Sequence, residues 1–383
     1  MQKTYIHERQ DWTDWQWNND TLLPVLSRVR LLQGRLLGTL STLGFEFNVQ
    51  AQLDAVCMEV IKTSEIEGET LNTAQVRSSV AKHLGIDDVG ITDVTPSREV
   101  DVIVEMMLYA THEFDQPLTL NTLYAWHHAL FPNGRSGMYE IKVGQLRDDS
   151  NGPMQVVSGG YGRTKVHFQA PSASRLPQEI SAFLTWLNTP PSEQAQLDLV
   201  LKAAIAHLWF VTLHPFDDGN GRLTRAITER MLAQSDNSPQ RFYSLSAEIL
   251  NQRKGYYAIL EQTQRGDSDI TDWLLWFLQA LENALLTAHQ TTKKIVIKAQ
   301  FWHRHRQQAF NERQVNMLNR LLTDFYGKLT SKKWAVMMKC SADSALRDIN
   351  ALIDKGILKR SQASGRSTSY EIVLDDRINK HLL

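Results

Sequence analysis

His214, Pro215, Phe216, Asp217, Asp218, Gly219, Asn220, Gly221, Arg222, Leu223, Thr224 and Arg225 form the segment of this chain best suited to chemistry. The apolar run Leu197 to Leu213 before it and the pattern from about Arg222 to Ala233 after it both read as helices, the first apolar almost all round and hence buried. Gly219, Asn220 and Gly221 then fall at a helix N-terminus. There, unpaired backbone N–H groups and the positive end of the helix dipole make an anion site, and glycine lets a phosphate come close to the backbone. Arg222 and Arg225 are three apart and share a face, so they can address successive phosphates with charge-assisted hydrogen bonds. Asp218 could hold a divalent cation between phosphates, and Mg²⁺ suits one or two carboxylates plus phosphate oxygens. His214 is the side chain best able to take a proton from an attacking hydroxyl at neutral pH. A base beside a phosphate cradle means phosphoryl-type transfer.

The elements that must position these residues are mostly helical. Leu22, Leu23, Leu26, Val29, Leu32, Leu36 and Leu37 recur at three- and four-residue steps, an amphipathic stripe. Trp12, Trp15 and Trp17 precede it and read as a staple packed on that helix. A second helix is expected from about Asn48 to Ile66, ending near Gly68, with a turn-rich break from Gly85 to Ser97. Between Tyr139 and Pro171 the helical period fails. Met154 to Ser158 and Lys165 to Phe168 flank Gly159, Gly160, Tyr161 and Gly162, which predicts a β-hairpin. Helices return after Leu176 and reach about Lys298. Beyond Asn311 the order is helix (Gln314 to Leu322), helix (Ser331 to Met338), helix (Ser341 to Lys355), then strands Ile357 to Arg360 and Ser369 to Val373 joined through Ser364, Gly365 and Arg366. That order is a winged helix's.

A length of 383 residues allows two or three domains, and 42% hydrophobic with 22% charged residues excludes wholesale disorder. The net charge of −1 excludes a polyanion binder overall. Phe301 to Leu383, however, carries 15 Lys/Arg against 8 Asp/Glu, leaving 26 against 34 elsewhere, so a basic tail follows an acidic body. Two cysteines, Cys57 and Cys340, cannot make a disulfide framework or a zinc site, which suggests a reducing compartment. The first 17 residues lack the layout of a secretory signal, and Leu197 to Leu213 is too short and too charged for a membrane span. The expectation is a cytoplasmic protein that makes no membrane contact. His127, His128, His303 and His305 lack an HExxH or cysteine partner, so metal binding there is set aside; no P-loop and no GxSxG elbow is present.

The constellation from His214 to Arg225 resembles the Fic (Fido) family, whose HxFx[D/E]GNGRxxR signature it matches at every position. The resemblance implies a mainly α protein with a Fic-like helical catalytic domain that transfers a nucleotidyl group, most often AMP from ATP with Mg²⁺, to a protein hydroxyl. By similarity His214 is the base and Asp218 the metal ligand. Gly219, Asn220 and Gly221 would hold the α- and β-phosphates, Arg222 the β-phosphate and Arg225 the γ-phosphate, with Phe216 a core anchor. The hairpin stands where the family has a flap that holds the target segment by strand addition, and Tyr257 is placed on the adenine side. One departure is Gly137, Met138, Tyr139, Glu140, where relatives often carry an arginine after the aromatic residue; it bears on target docking.

Thr63, Ser64, Glu65, Ile66, Glu67, Gly68 matches the family's inhibitory pattern [S/T]xxxE[G/N]. Glu67 brought to Arg225 would make a bidentate ion pair and take the arginine needed by the γ-phosphate, while the Thr63 hydroxyl could fix the helix in place. Three parts are thus expected: 1–97, a helical region with the inhibitory helix; 98–298, the Fic catalytic domain with its flap; 299–383, a winged helix. The expected partner is a Ser, Thr or Tyr hydroxyl of a target protein, with automodification and a homodimer left open. The competing reading is a DNA-binding regulator, with Ser341 to Lys355 as recognition helix and Lys332, Lys333, Lys359, Arg360 and Arg366 on phosphates, although Asp343, Asp348 and Asp354 oppose it. A Fic-type enzyme using another nucleotide, or removing AMP, is the other alternative.

Overall fold

The computed structural model describes residues 5–41, 44–86, 94–159, 165–190, 193, 197–323, 325–361 and 368–374. It is mainly helical and divides into two units, Met1–Ser41 with Asn48–Ala288, and Thr42–Phe47 with His289–Leu383.

The larger unit begins with α1 (Asn19–Ser41), α2 (Phe45–Ile66), α3 (Thr73–His83), α4 (Arg98–His112) and α5 (Leu120–Leu130). Two small antiparallel pairs follow, β1 (Arg135–Ser136) with β2 (Tyr139–Glu140) and β3 (Gln155–Ser158) with β4 (Lys165–Gln169). Then come α6 (Leu176–Asn188), α7 (Leu199–Leu213), α8 (Asn220–Asp236), α9 (Leu245–Asn251), α10 (Arg253–Gln264) and α11 (Thr271–Arg304), within which the division between units falls. Helix starts follow side-chain caps: Asn72, Ser97, Thr119, Asp198 and Ser244 each accept a hydrogen bond from a backbone N–H of the following turn.

The core centres on α7, which packs against α8. Val200, Ala203, Ala204, Ala206, Leu208, Phe210 and Leu213 are fully buried on it, and Leu223, Ala226, Ile227 and Leu232 on α8. A helix apolar on every side has nowhere to go but the centre, as its sequence predicts. The tryptophan staple is present, but on a different partner. Trp12 and Trp15 meet edge-on at 5.3 Å, and both meet Trp209 of α7, at 5.9 and 6.3 Å. The buried helix offers a large ring there, and a bridge between Gln16 and Asp269 holds the N-terminal segment near it.

The smaller unit contains α12 (Glu312–Leu322), α13 (Ser331–Met337), α14 (Ala342–Asp354) and the antiparallel pair β5 (Leu358–Arg360) and β6 (Tyr370–Ile372). Met317, Leu318, Trp334, Ile349, Leu352 and Ile357 make its core. Asp348 is buried and takes hydrogen bonds from Arg313 and Asn311, so it is a structural anchor, whereas Asp343 and Asp354 face solvent. The Gly160–Gly162 part of the first hairpin's turn and residues Ser364, Gly365 and Arg366 lie outside the described residues. Among the described residues no helix is long and apolar enough to cross a membrane.

Candidate functional site

Helix α7 ends at His214, whose backbone is left-handed (φ 46°), and α8 starts after Gly219 (φ 75°). The five residues from His214 to Asp218 reverse the chain between two buried helices, and three devices hold that reversal. The Asn220 side chain clasps Phe216, accepting from its N–H at 3.0 Å and donating to its C=O at 2.8 Å. Asn220 therefore ties its side-chain amide to the loop, and its backbone N–H remains for an anion. Glycine is required at 219: besides the positive φ, a Cβ there would lie 2.7 Å from the Phe131 ring.

The second device is His127. Gly144 N–H donates to its Nδ1 at 3.1 Å, so the proton sits on Nε2, which donates to the Asp218 carbonyl at 3.2 Å. The ring is buried and stacks on Phe216 at 4.3 Å, and burial pushes its pKa down to about 4. Phe216 is itself fully buried. Phe216→Ala is expected to destabilise the fold by about 3–5 kcal/mol, read as a lower denaturant midpoint; a change below about 1 kcal/mol would remove Phe216 from the core.

The third device is Arg147. Its Nε donates to the His214 carbonyl at 2.7 Å, its Nη2 to the Pro171 carbonyl at 2.6 Å, and its backbone N–H to the Pro215 carbonyl at 3.0 Å, with Asp149 on Nη1 at 3.1 Å. The side chain is fully buried. Sequence reasoning passed over Arg147 and looked for an arginine at Glu140, which is exposed on β2. An arginine between Gly144 and the acidic pair Asp148, Asp149 was the available signal.

His214 is half-buried, and its Nδ1 lies 3.4 Å from the Val211 carbonyl, which leaves Nε2 as the free lone pair. Burial first, and Arg147 beside it, push its pKa down to about 4, so the ring is neutral at pH 7. His214, Gly221, Arg225 and Tyr257 line one cavity of ≈ 450 Å³, together with Val156, Val157, Ser158, His167 and Phe168 of the β3–β4 hairpin. Tyr257 is 41% exposed there, whereas Tyr256 is buried with its hydroxyl 2.9 Å from His207 Nε2.

Asp218 lies at the edge of this assembly. One carboxylate oxygen accepts the Gly219 N–H at 2.6 Å and the other accepts the Ser136 hydroxyl. Among the described residues no group of three or more His, Cys, Asp or Glu side chains could hold a metal by itself. A cation at Asp218 would share that carboxylate with phosphate oxygens, a donor set that fits Mg²⁺.

The end of α2 closes on the same place. Gly68 (φ 87°) turns the chain so that Glu69 N–H reaches the Ser64 carbonyl at 3.0 Å, a left-handed helix cap. Arg225 Nη2 then donates to Glu67 Oε1 at 2.6 Å and to the Thr63 carbonyl at 3.0 Å, and Arg225 Nε donates to the Thr63 hydroxyl at 2.5 Å. In place of the expected bidentate Glu67–Arg225 pair, Glu67 accepts from Nη2 and Thr63 accepts from Nε and Nη2, so two residues of α2 and its end share the guanidinium. A Cβ built on Gly221 would come within 2.1 Å of Glu67 Oε1, so this carboxylate lies directly against the first turn of α8. Glu69, just past the Thr63–Gly68 pattern, pairs with Arg222 at 2.8 Å; Arg222 also lies 5.0 Å over the Phe131 ring.

Residues 117–232 match the Fic/DOC family. The Fic match covers the loop, α7, most of α8 and the β3–β4 hairpin, and residues 5–86, which carry Thr63 and Glu67, match a domain of unknown function, DUF4172. A protein adenylyltransferase Fic of Drosophila ananassae is 25% identical over 218 residues, 57% of this chain and 39% of that protein. The chain thus spans about two-fifths of the length of the curated relatives it matches. A Fic family protein from Desulfovibrio desulfuricans is 18% identical with a TM-score of 0.52, covering 92% of this chain and 96% of that one. A Fic domain containing signaling protein from Bacteroides thetaiotaomicron is 19% identical with a TM-score of 0.51, covering 70% of this chain and 97% of that one. These two likenesses establish a Fic-like fold.

Proposed function

We propose that the protein transfers AMP from ATP to a hydroxyl of a protein side chain, and that Glu67 holds it inactive. The observation that carries this reading is the Glu67 carboxylate on Arg225 and against the first turn of α8, the place a phosphate would take. The backbone N–H groups at Gly219, Asn220 and Gly221 would bind the α- and β-phosphates, Arg222 the β-phosphate once released from Glu69, and Arg225 the γ-phosphate. Neutral His214 would take the proton of the incoming hydroxyl at Nε2, with Arg147 holding its backbone carbonyl beside the cavity that the ring lines. Tyr257 would flank the adenine, and the outer edge of β3 would receive the target segment as an added strand. Mg²⁺ on Asp218 would neutralise charge on the departing phosphates. Positioning and charge stabilisation would supply most of the rate.

The inhibitory helix, the division into 1–97, 98–298 and 299–383, and a winged helix at the C-terminal end belong to the same proposal. The three helices and terminal strand pair of the smaller unit support the last. A gel shift that weakens steeply with salt would give that unit DNA; no shift at low salt would assign it to protein contacts.

The test is incubation of Glu67→Gly protein with each of four labelled nucleoside triphosphates and a cell lysate. Label from ATP on lysate proteins is expected; preference for another nucleotide would replace AMP as the group transferred, and loss of AMP from modified proteins would reverse the reaction. No transfer from any donor, and no removal, would end the enzymatic reading. The pH dependence follows from His214. Its free-enzyme pKa is lowered to about 4, so the base form persists as pH falls and is lost only near that value. kcat/KM of Glu67→Gly should therefore show no protonation of this base between pH 5 and 8; an acid limb near 6.5 that vanishes with His214 would contradict it.

A further inference from the structure

The hairpin carries a second constellation with the geometry of an activated hydroxyl. Ser158 Oγ, at the end of β3, lies 2.6 Å from His167 Nε2, and His167 Nδ1 lies 2.6 Å from Glu261 Oε2 on α10. A carboxylate accepts only, so Nδ1 carries the proton toward Glu261 and Nε2 is left to accept from the serine hydroxyl. Nucleophile, base and orienting acid are each within hydrogen-bond reach of the next. Two cations hold the carboxylate: Arg265 at 3.5 Å and Lys165 at 3.9 Å, and Arg265 also donates to the Val166 and His167 carbonyls. The His167 side of the assembly is thus fixed to α10 rather than left to the strand pair.

Its place decides what it would act on. Ser158, His167 and Glu261 line the same cavity as His214, Gly221 and Arg225. The electrophile that cavity is shaped for, on the reading proposed above, is the α-phosphorus of a nucleoside triphosphate. We infer that Ser158 is a built-in acceptor for the nucleotidyl group, with His167 as its own base and Glu261 as the positioning residue. Ser158 Oγ attacks the α-phosphorus and its proton passes to His167 Nε2. The new Oγ–P bond forms as the bond to the oxygen bridging the β-phosphate breaks, and pyrophosphate leaves with that electron pair. The resulting imidazolium is held against Glu261. This inference rests on the proposed transfer of a nucleotidyl group, and it adds an acceptor that does not depend on His214.

The test maps labelled residues by peptide mass spectrometry after Glu67→Gly protein has been incubated with ATP, Mg²⁺ and lysate. Adenylyl-Ser158 is expected. In the His167→Gln background the amide can still donate to Glu261 and accept from Ser158, but cannot take a proton; the Ser158 label should fall about 10²-fold relative to label on lysate proteins. In the His214→Ala background the ratio should move the other way. Lysate proteins labelled while Ser158 stays unmodified would overturn the inference and leave the enzymatic reading standing. Ser158 label that disappears with His214 rather than with His167 would overturn the assignment of the base. Absence of label everywhere would sink the enzymatic reading, and the built-in acceptor with it.

Discussion

His214→Ala, made in the Glu67→Gly background, is expected to lower transfer onto other proteins by about 10²–10⁴-fold, the usual contribution of a positioned general base. The fold should survive, because the ring is half-buried and the His214 atoms that hold the turn are backbone: its N–H on Phe210 and its carbonyl on Arg147. Circular dichroism and thermal unfolding would verify this. Binding of nucleotide should change little, since the proposed cradle is Gly219, Asn220, Gly221 and the two arginines. A variant that lost binding and rate together would instead mark His214 as part of the cradle.

Glu67→Gly in the otherwise native chain should raise transfer by about 10- to 100-fold. The figure follows from a charge-assisted hydrogen bond of about 1.5–3 kcal/mol, at a factor of ten per about 1.4 kcal/mol. Two further contacts qualify how complete the release would be. Thr63 still holds Arg225 through its hydroxyl and carbonyl, and Glu69 still holds Arg222. Adding Thr63→Ala or Glu69→Gln should therefore raise transfer again, measured with labelled ATP on the same lysate. Equal, low transfer by wild type and Glu67→Gly would show that this carboxylate is not what restrains the site.

The sequence made much of the site legible because its chemistry is local. Twelve consecutive residues carry the proposed base, the glycine-rich turn and both arginines, and the helices on either side announce themselves by composition. Thr63 to Gly68 is also a short pattern, although only packing reveals that Glu69 joins Glu67. What escaped notice are the residues that hold the loop from far away in the chain. Arg147 reaches His214 across 67 positions and His127 reaches Asp218 across 91. Neither spacing has any period to read, and an arginine or histidine alone gives no sign of its partner. Ser158, His167 and Glu261 were hidden for the same reason, since a strand end, a paired strand and a helix must first come together.

Occupation of phosphate space by the Glu67 carboxylate is tested most directly by a crystal of the Glu67→Gly protein soaked with ATP and magnesium. The expected result is a triphosphate over the first turn of α8, with a terminal oxygen hydrogen-bonded to Arg225 and the α-phosphorus in the cavity that His214 lines. A nucleotide bound elsewhere, or Arg225 still closed on α2 with nothing in that cavity at saturating ATP, would contradict it.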